Sequence, residues 1–278
     1  MNEITQTNTD QQLIALWLHG RPESTRAAYA REAERFLSSI YRPLREMTLG
    51  DVQVFADSLA ELAPATRAQR IAIIKSLFGF AHRLGYLPFD VSRPLRLPTR
   101  KNTLAERIMT EADTHKVIAL EPNTRNRVML RLLYASGMRV SELCGLKWRD
   151  FQGRDEAGQV TVYGKGGKTR AILLSAATWQ ELIALRSEPD KPAFPSQKQG
   201  GHLSRVQVLR IVRQAAKRAG VEGKVSPHWF RHAHASHALD RGAPIHVLKE
   251  TLGHSSIATT SAYTHARPTE SSSRYLAI

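Results

Sequence analysis

Apolar residues in the first hundred positions recur at helical spacing. Residues 11–19 form a short apolar run, and Ser24 is placed to cap a helix that reaches about Ser39, with Ala28, Phe36 and Leu37 on its inner side. Thr48 caps the next, where Val52, Phe55 and Leu59 share one face. A fourth starts at Thr66 and runs through Ile71, Ile74, Phe78 and Ala81 to near Gly85. Nothing here alternates like a strand, so residues 1–90 are predicted to be a small all-helical bundle.

The pattern breaks over 88–108, where three prolines and five basic residues predict an extended, positively charged linker, placed at 91–108, or else an ordinary surface loop. Periodicity resumes near Thr110, which with Asp113 resembles a capping pair, and a second domain is expected over 109–278. Helices are predicted at 111–120, 123–136 and 140–146. The period then drops to two at 159–163 and 169–174, flanking Gly164-Lys165-Gly166-Gly167-Lys168, which predicts a hairpin with a glycine-rich tip. Helices return at 176–186, 203–219, 227–240, 244–252 and 256–265. The expected fold class is mainly α with one small antiparallel β-sheet.

Composition narrows the partner. Forty basic residues against 25 acidic ones give a net charge of +15, which favours a polyanion, with nucleic acid first. The excess is uneven: +3 over 1–100 and +12 over 101–278. No run of 18 apolar residues predicts a membrane span. The polar start MNEITQTNTD lacks the features of a signal or transit peptide, so a cytoplasmic location is expected. A single cysteine, Cys144, excludes an internal disulfide and a cysteine-based zinc site.

Candidate chemistry lies in four segments of the basic half. In Ser226-Pro227-His228-Trp229-Phe230-Arg231, Ser then Pro opens a helix, and His228 and Arg231 share a face at its N-terminus, a natural phosphate seat. Alone, His228 reads as a structural histidine and Arg231 as a surface charge; it is the pair at a capped N-terminus that makes a phosphate seat an equal reading. In Leu252-Gly253-His254-Ser255-Ser256, glycine ends one helix, a serine caps the next, and His254 sits in the joint. Tyr263 lies about two turns into that last helix, where it either packs in the core or acts as a nucleophile, a role that needs cationic neighbours because a free phenol has a pKa near 10. Arg139 follows Gly137, with Glu142 three residues on to hold a guanidinium or a nearby histidine. At the hairpin tip, a P-loop would need glycine where Val162 stands and a helix where 170–174 reads as a strand, so presentation of Lys165 to a phosphate backbone is the better use. His228, His232, His234 and His237 invite a metal, but Trp229 follows His228 and no carboxylate is near before Asp240, so no metal site is expected.

The segments SGMRVSELCGLKW, VYGKGGKTRAILL, SPHWFRHAHASHALDRGA and LGHSSIATTSAYTHA, in this order and with nine residues from His254 to Tyr263, resemble the tyrosine recombinase (phage integrase) family, most closely its compact Xer-type members. The resemblance covers nearly the whole chain. It implies an N-terminal helical, SAM-like core-binding domain and a mostly α catalytic domain of the DNA breaking-rejoining type, which together clamp a duplex. It implies that Arg139, Lys165, His228, Arg231 and His254 are catalytic, that Glu142 supports Arg139, and that Tyr263 is the nucleophile forming a 3′-phosphotyrosyl link. Lys165 would protonate the leaving 5′-oxygen, and His228 would assist proton transfer at the tyrosine. No cofactor, ATP or metal is implied. Tyr275, in the ESSSRYLAI tail, is the competing nucleophile, although the tail of the family docks on a neighbouring protomer. Candidate DNA contacts are Arg26, Arg67, Arg70, Lys75, Lys168, Arg205 and Arg210. The expected partner is double-stranded DNA with specific recombination sites, bound as a tetramer, possibly with a sister recombinase; an N-terminal arm-binding domain is not expected. A type IB topoisomerase or a non-catalytic architectural DNA-binding factor are the alternative functions.

Overall fold

A computed structural model of the protein describes residues 8–99, 103–164, 167–196 and 200–266. The chain divides into two compact units, Met1–Asn102 and Thr103–Ile278.

The first unit contains α1 (Asp10–Leu18), α2 (Glu23–Ile40), α3 (Leu49–Ser58) and α4 (Pro64–Arg83). Its core centres on Phe36, which meets Phe55 and Phe78 edge-on at ring separations of 5.0 and 5.7 Å. Thr48 caps α3 in a reciprocal box with Asp51, as its position in the sequence predicts. Two helix starts differ from expectation, and proline explains both. α2 begins from Pro22, whose carbonyl accepts from the amides of Thr25 and Arg26, so Ser24 lies inside the helix instead of capping it. α4 begins at Pro64, whose fixed φ suits the first helical position, two residues before Thr66.

The segment expected to be an extended linker starts as part of this unit. Val91 is buried in the first core, and Lys75 Nζ donates to the carbonyls of Ser92, Arg93 and Leu95 at 2.7, 2.9 and 2.6 Å. These three carbonyl contacts fold the segment back onto α4.

The second unit contains α5 (Glu111–Ala119), α6 (Thr124–Ser136), α7 (Val140–Gly145), β1 (Phe151–Arg154), β2 (Ala157–Tyr163), β3 (Thr169–Leu174), α8 (Ala176–Ile183), α9 (Arg205–Arg218), α10 (Pro227–Asp240), α11 (Ile245–Leu252) and α12 (Ile257–Ala266). The strands form one antiparallel sheet in the order β1-β2-β3, with Val160 opposite Phe151 and Ile172. β1 carries no periodic signal: only Phe151 of its four residues is buried, and a two-residue turn with Asp155 at φ 53° joins it to β2. The inward side of β2 packs on α8 so closely that a Cβ on Gly158 would lie 2.1 Å from the Trp179 ring. α10 runs through the middle of the unit, against α5, α6, α9, α11 and α12. Its small residues Ala233, Ala235 and Ser236 are buried, which lets the neighbouring helices approach.

Gly137 closes α6 in the left-handed conformation, φ 58°. A Cβ there would lie 2.6 Å from His234 and 2.8 Å from Leu252, so the residue meets both a backbone and a packing constraint. Gly137→Ala is expected to cost about 2–4 kcal/mol, adding left-handed strain to overpacking. Urea unfolding followed by tryptophan fluorescence measures this loss.

Candidate active site

α10, α11 and the joint before α12 converge on one set of arginines. Arg231 is 4% exposed. Its guanidinium donates to the Gly137 carbonyl at 2.6 Å and the Leu252 carbonyl at 2.7 Å, the C-terminal ends of α6 and α11. Both ends carry partial negative charge, which offsets part of the cost of burying the cation. Burial, followed by repulsion from Arg139, lowers its pKa to about 10, so it stays charged at neutral pH.

Two further arginines hold the same turn. Arg170 Nε donates to the Thr251 carbonyl at 2.7 Å, and Arg139 Nη2 to the Gly253 carbonyl at 3.1 Å. Three successive carbonyls, 251 to 253, thus each receive one guanidinium. Gly253 adopts φ 63°, and a Cβ on it would stand 3.0 Å from Arg170 Nη1, so this close approach also favours glycine.

Glu142 binds two of the three cations. It is 7% exposed, with Oε1 accepting from Arg139 at 2.9 Å and Arg170 at 3.0 Å. Oε2 accepts from Arg170 at 2.8 Å and from the Arg139 amide at 2.7 Å. Burial pushes its pKa up, but these hydrogen bonds and the Arg170 charge outweigh burial and hold it below the usual value. The i,i+3 pair that sequence spacing allows is instead part of a three-residue network around the buried Glu142.

The rings lie alongside. Tyr263 is 5% exposed, and its hydroxyl lies 2.9 Å from His232 Nδ1. Its ring is parallel to that of His254 within 3°, with centroids 6.5 Å apart. His254 Nδ1 is 2.9 Å from Oγ1 of the buried Thr260, which fixes the ring's orientation. Burial, then Arg231, Arg139 and Arg170, lower the His254 pKa to about 4. Burial raises that of Tyr263, against the opposing pull of Arg231. His228 stays exposed at the start of α10, where Ser226 and Pro227 stand at the cap and first positions, although the Ser226 side chain makes no capping bond. Loss of hydration on its inner side, then Arg231 and Arg139, lower its pKa.

The structure therefore brings together Arg139, Glu142, Arg231, His254 and Tyr263, with His228 at the edge. Lys165 and Tyr275 lie outside the described residues. Two members of the cluster escape the sequence reading. Arg170 shares the parity of the buried Ile172 and Leu174, so the strand pattern alone aims a cation inward, where it needs an anion. His232 lies one turn after His228 and faces the same way. It is His232, not His228, that bonds the tyrosine hydroxyl. The other histidines have protein partners: His234 Nδ1 meets the Tyr134 carbonyl, and His237 lies between the Tyr134 hydroxyl and the Met109 carbonyl. Among the described residues no cluster of three His, Cys, Asp or Glu side chains is placed to hold a metal ion, and no helix is long and apolar enough to cross a membrane.

The candidate DNA contacts divide. Arg26, Lys168, Arg205 and Arg210 are exposed. Arg67 lies 3.6 Å from Asp57 and Arg70 3.7 Å from Glu32. Lys75 is used otherwise than expected: three backbone carbonyls occupy its three donors.

The fold is mostly helical with a small antiparallel sheet, and the site sets a buried tyrosine among Arg231, the partly buried Arg139 and Arg170, and the histidines His232 and His254. Residues 101–270 match the model of the phage integrase family. The tyrosine recombinase XerC of Erythrobacter litoralis is 33% identical over 260 residues, 88% of this chain and 83% of that protein. The tyrosine recombinase XerD of Brucella melitensis is 32% identical over 88% of each chain. Among solved structures, a lambda integrase (75–356) dimer bound to a COC′ core site aligns with a TM-score of 0.76 at 20% identity, covering 94% of this chain and 95% of that one. XerH recombinase bound to difH substrate aligns at 0.71 and 19% identity, covering 94% and 82%. The chain belongs to the phage integrase family and is a tyrosine site-specific recombinase.

Glu142→Gln is expected to cost about 2 kcal/mol at pH 7, because it leaves the partly buried guanidinium groups of Arg139 and Arg170 without their anion. A depressed folded pKa makes the contribution of Glu142 complete above its unfolded value, near 4.3, and lost as pH falls through the folded one. Urea unfolding of both proteins from pH 7 to pH 3 should therefore show the gap closing at the acid end.

Proposed function

We propose that the protein cuts and rejoins double-stranded DNA at specific recombination sites with Tyr263 as nucleophile. The observation that carries the reading is the buried Tyr263 beside His254, in the field of Arg231, Arg139 and Arg170. A phosphodiester is the substrate such a cluster suits: it is anionic, and it gains charge on its non-bridging oxygens as it is attacked.

Tyr263 Oη attacks the scissile phosphorus, forms a 3′-phosphotyrosyl link and releases a 5′-hydroxyl. Arg139, Arg231 and His254 stabilise the growing charge, each donor worth about 3 kcal/mol by analogy with oxyanion holes. His228, exposed at the N-terminus of α10, adds a donor to the phosphate. Lys165 protonates the leaving 5′-oxygen. Glu142 and Arg170 hold Arg139 and the 251–253 turn in register. The covalent link conserves the energy of the phosphodiester, so rejoining needs no ATP, and attack by the 5′-hydroxyl of a second duplex exchanges strands. The protein works as a tetramer on two paired sites, a reading supported by relatives such as the lambda integrase tetramer bound to a Holliday junction.

Incubation with sheared genomic DNA, followed by denaturation and recovery of protein-linked fragments, should yield a defined set of attachment sites. Tyr263→Phe should abolish the adduct. An adduct that survives in this variant would overturn the assignment of Tyr263, and relaxation of supercoils with no recombinant from paired sites would overturn recombination.

Binding is expected to weaken steeply with salt, because phosphate contacts dominate it. Arg205→Ala and Lys168→Ala should each lower affinity and reduce the salt slope by about one. Lys75→Met should leave the slope unchanged and lower the melting temperature instead. Filter binding from 50 to 300 mM salt distinguishes these cases.

A further inference from the structure

Four rings form a row from the exposed N-terminus of α10 to the buried tyrosine. His228 and His232 stack with centroids 6.4 Å apart, His232 and Tyr263 are 5.7 Å apart, and Tyr263 and His254 are 6.5 Å apart. Within this row only His232 has a nitrogen on the tyrosine hydroxyl, Nδ1 at 2.9 Å from Oη. An attacking phenol must lose its proton, and in the tautomer with its hydrogen on Nε2 this Nδ1 is the acceptor in reach of it.

The surroundings of His232 decide when it can accept. The groups acting on it are His228 and Arg231 from α10, His254 from the joint before α12, Tyr263 from α12 and Arg107 from the turn Ala105–Arg107. Burial comes first, and these histidines and arginines then lower its pKa further, to about 4. The ring is therefore neutral at pH 7, with Nδ1 free to accept the phenol's hydrogen bond. It is far too weak a base to take the proton outright from a phenol whose own pKa burial raises. Without substrate, Tyr263 stays protonated.

An incoming phosphodiester changes this balance. Its negative charge, held near Arg231 and Arg139, offsets the repulsion that Arg231 and Arg107 exert on His232 beyond the effect of burial, so the imidazole becomes more basic when the target arrives. We infer that His232, whose Nδ1 lies on the Tyr263 hydroxyl, is the proton acceptor for Tyr263 in the attack on the phosphate. This rests on the reading of Tyr263 as nucleophile.

In the step, the Tyr263 O–H bond breaks and an N–H bond forms at His232 Nδ1. The phenolate pair makes the new P–O bond, the P–O5′ bond breaks, and O5′ leaves with its electron pair and takes a proton from Lys165. On rejoining, the 5′-hydroxyl gives its proton back to Lys165, and the imidazolium returns its own to the departing Tyr263 oxygen. Proton count and charge are restored after each cycle.

The test is single-turnover cleavage of a nicked suicide duplex built on a recovered attachment site, from pH 6 to 9.5. His232→Ala and His232→Asn are compared with the parent; asparagine keeps a hydrogen-bond acceptor near Nδ1 but is no base. Both should lower the cleavage rate about 10²–10³-fold at pH 7 with duplex affinity within about twofold. The deficit should shrink as pH rises and the phenol ionises unaided, and added imidazole should restore part of the rate to His232→Ala. A parental rate in His232→Asn overturns the proposal. So does a deficit uniform across pH without imidazole rescue, or imidazole rescue of His228→Ala but not of His232→Ala. Tyr263→Phe runs beside each series: an adduct there means that the reading of Tyr263 fails, whatever His232 does.

Discussion

Three guanidinium groups on three successive carbonyls hold the site together. The last turn of α11 presents the oxygens of Thr251, Leu252 and Gly253, and Arg170, Arg231 and Arg139 each donate to one of them. A helix C-terminus has carbonyls without intrahelical partners, and three cations held close together need neutralising contacts. Each side meets the other's requirement. Glu142 completes the arrangement with a full negative charge on two of the three, which lets the arginines stay close.

The architecture follows from that constraint. The guanidinium groups come from the cap residue before α7, from β3 and from α10, and the oxygens from the end of α11 and its cap, so the sheet and three helices must sit in register to within hydrogen-bond tolerance. Gly137 and Gly253 make this possible: each takes a left-handed turn, and each lies where a Cβ would press on a neighbour. The long apolar core beneath, with α10 in its middle, supplies the rigidity. The tyrosine lies on a small separate cluster with Ala235, Leu248 and Leu252, so its position depends directly on α10 and on the end of α11.

Much of this was legible in the chain. Helix periodicity marked most elements of both units to within a few residues, because amphipathic spacing is a local property. It missed β1, which is too short to alternate, and misplaced the starts of α2 and α4, where proline rather than a hydroxyl side chain sets the first turn. The segment from 91 reads as a linker because prolines and charges dominate it, yet Lys75 ties its start to α4 through contacts 17 to 20 residues apart. The arginine, histidine and tyrosine positions stand out through their motifs and spacing. Arg170 and His232 did not, since the strand parity of one and the helical phase of the other gain meaning only once a partner is known.

The sequence by itself determined the helical class, the hairpin, the basic character of the second half and the family motifs. All of these depend on local spacing and side-chain type. Only the tertiary structure decided which group each of them meets: that Glu142 serves two arginines, that Arg231 is buried between two helix ends, and that Tyr263 bonds His232 rather than His228. Those pairings span 28 to 94 residues along the chain in the longest cases. They depend on how helices pack, and packing is set by the whole core at once.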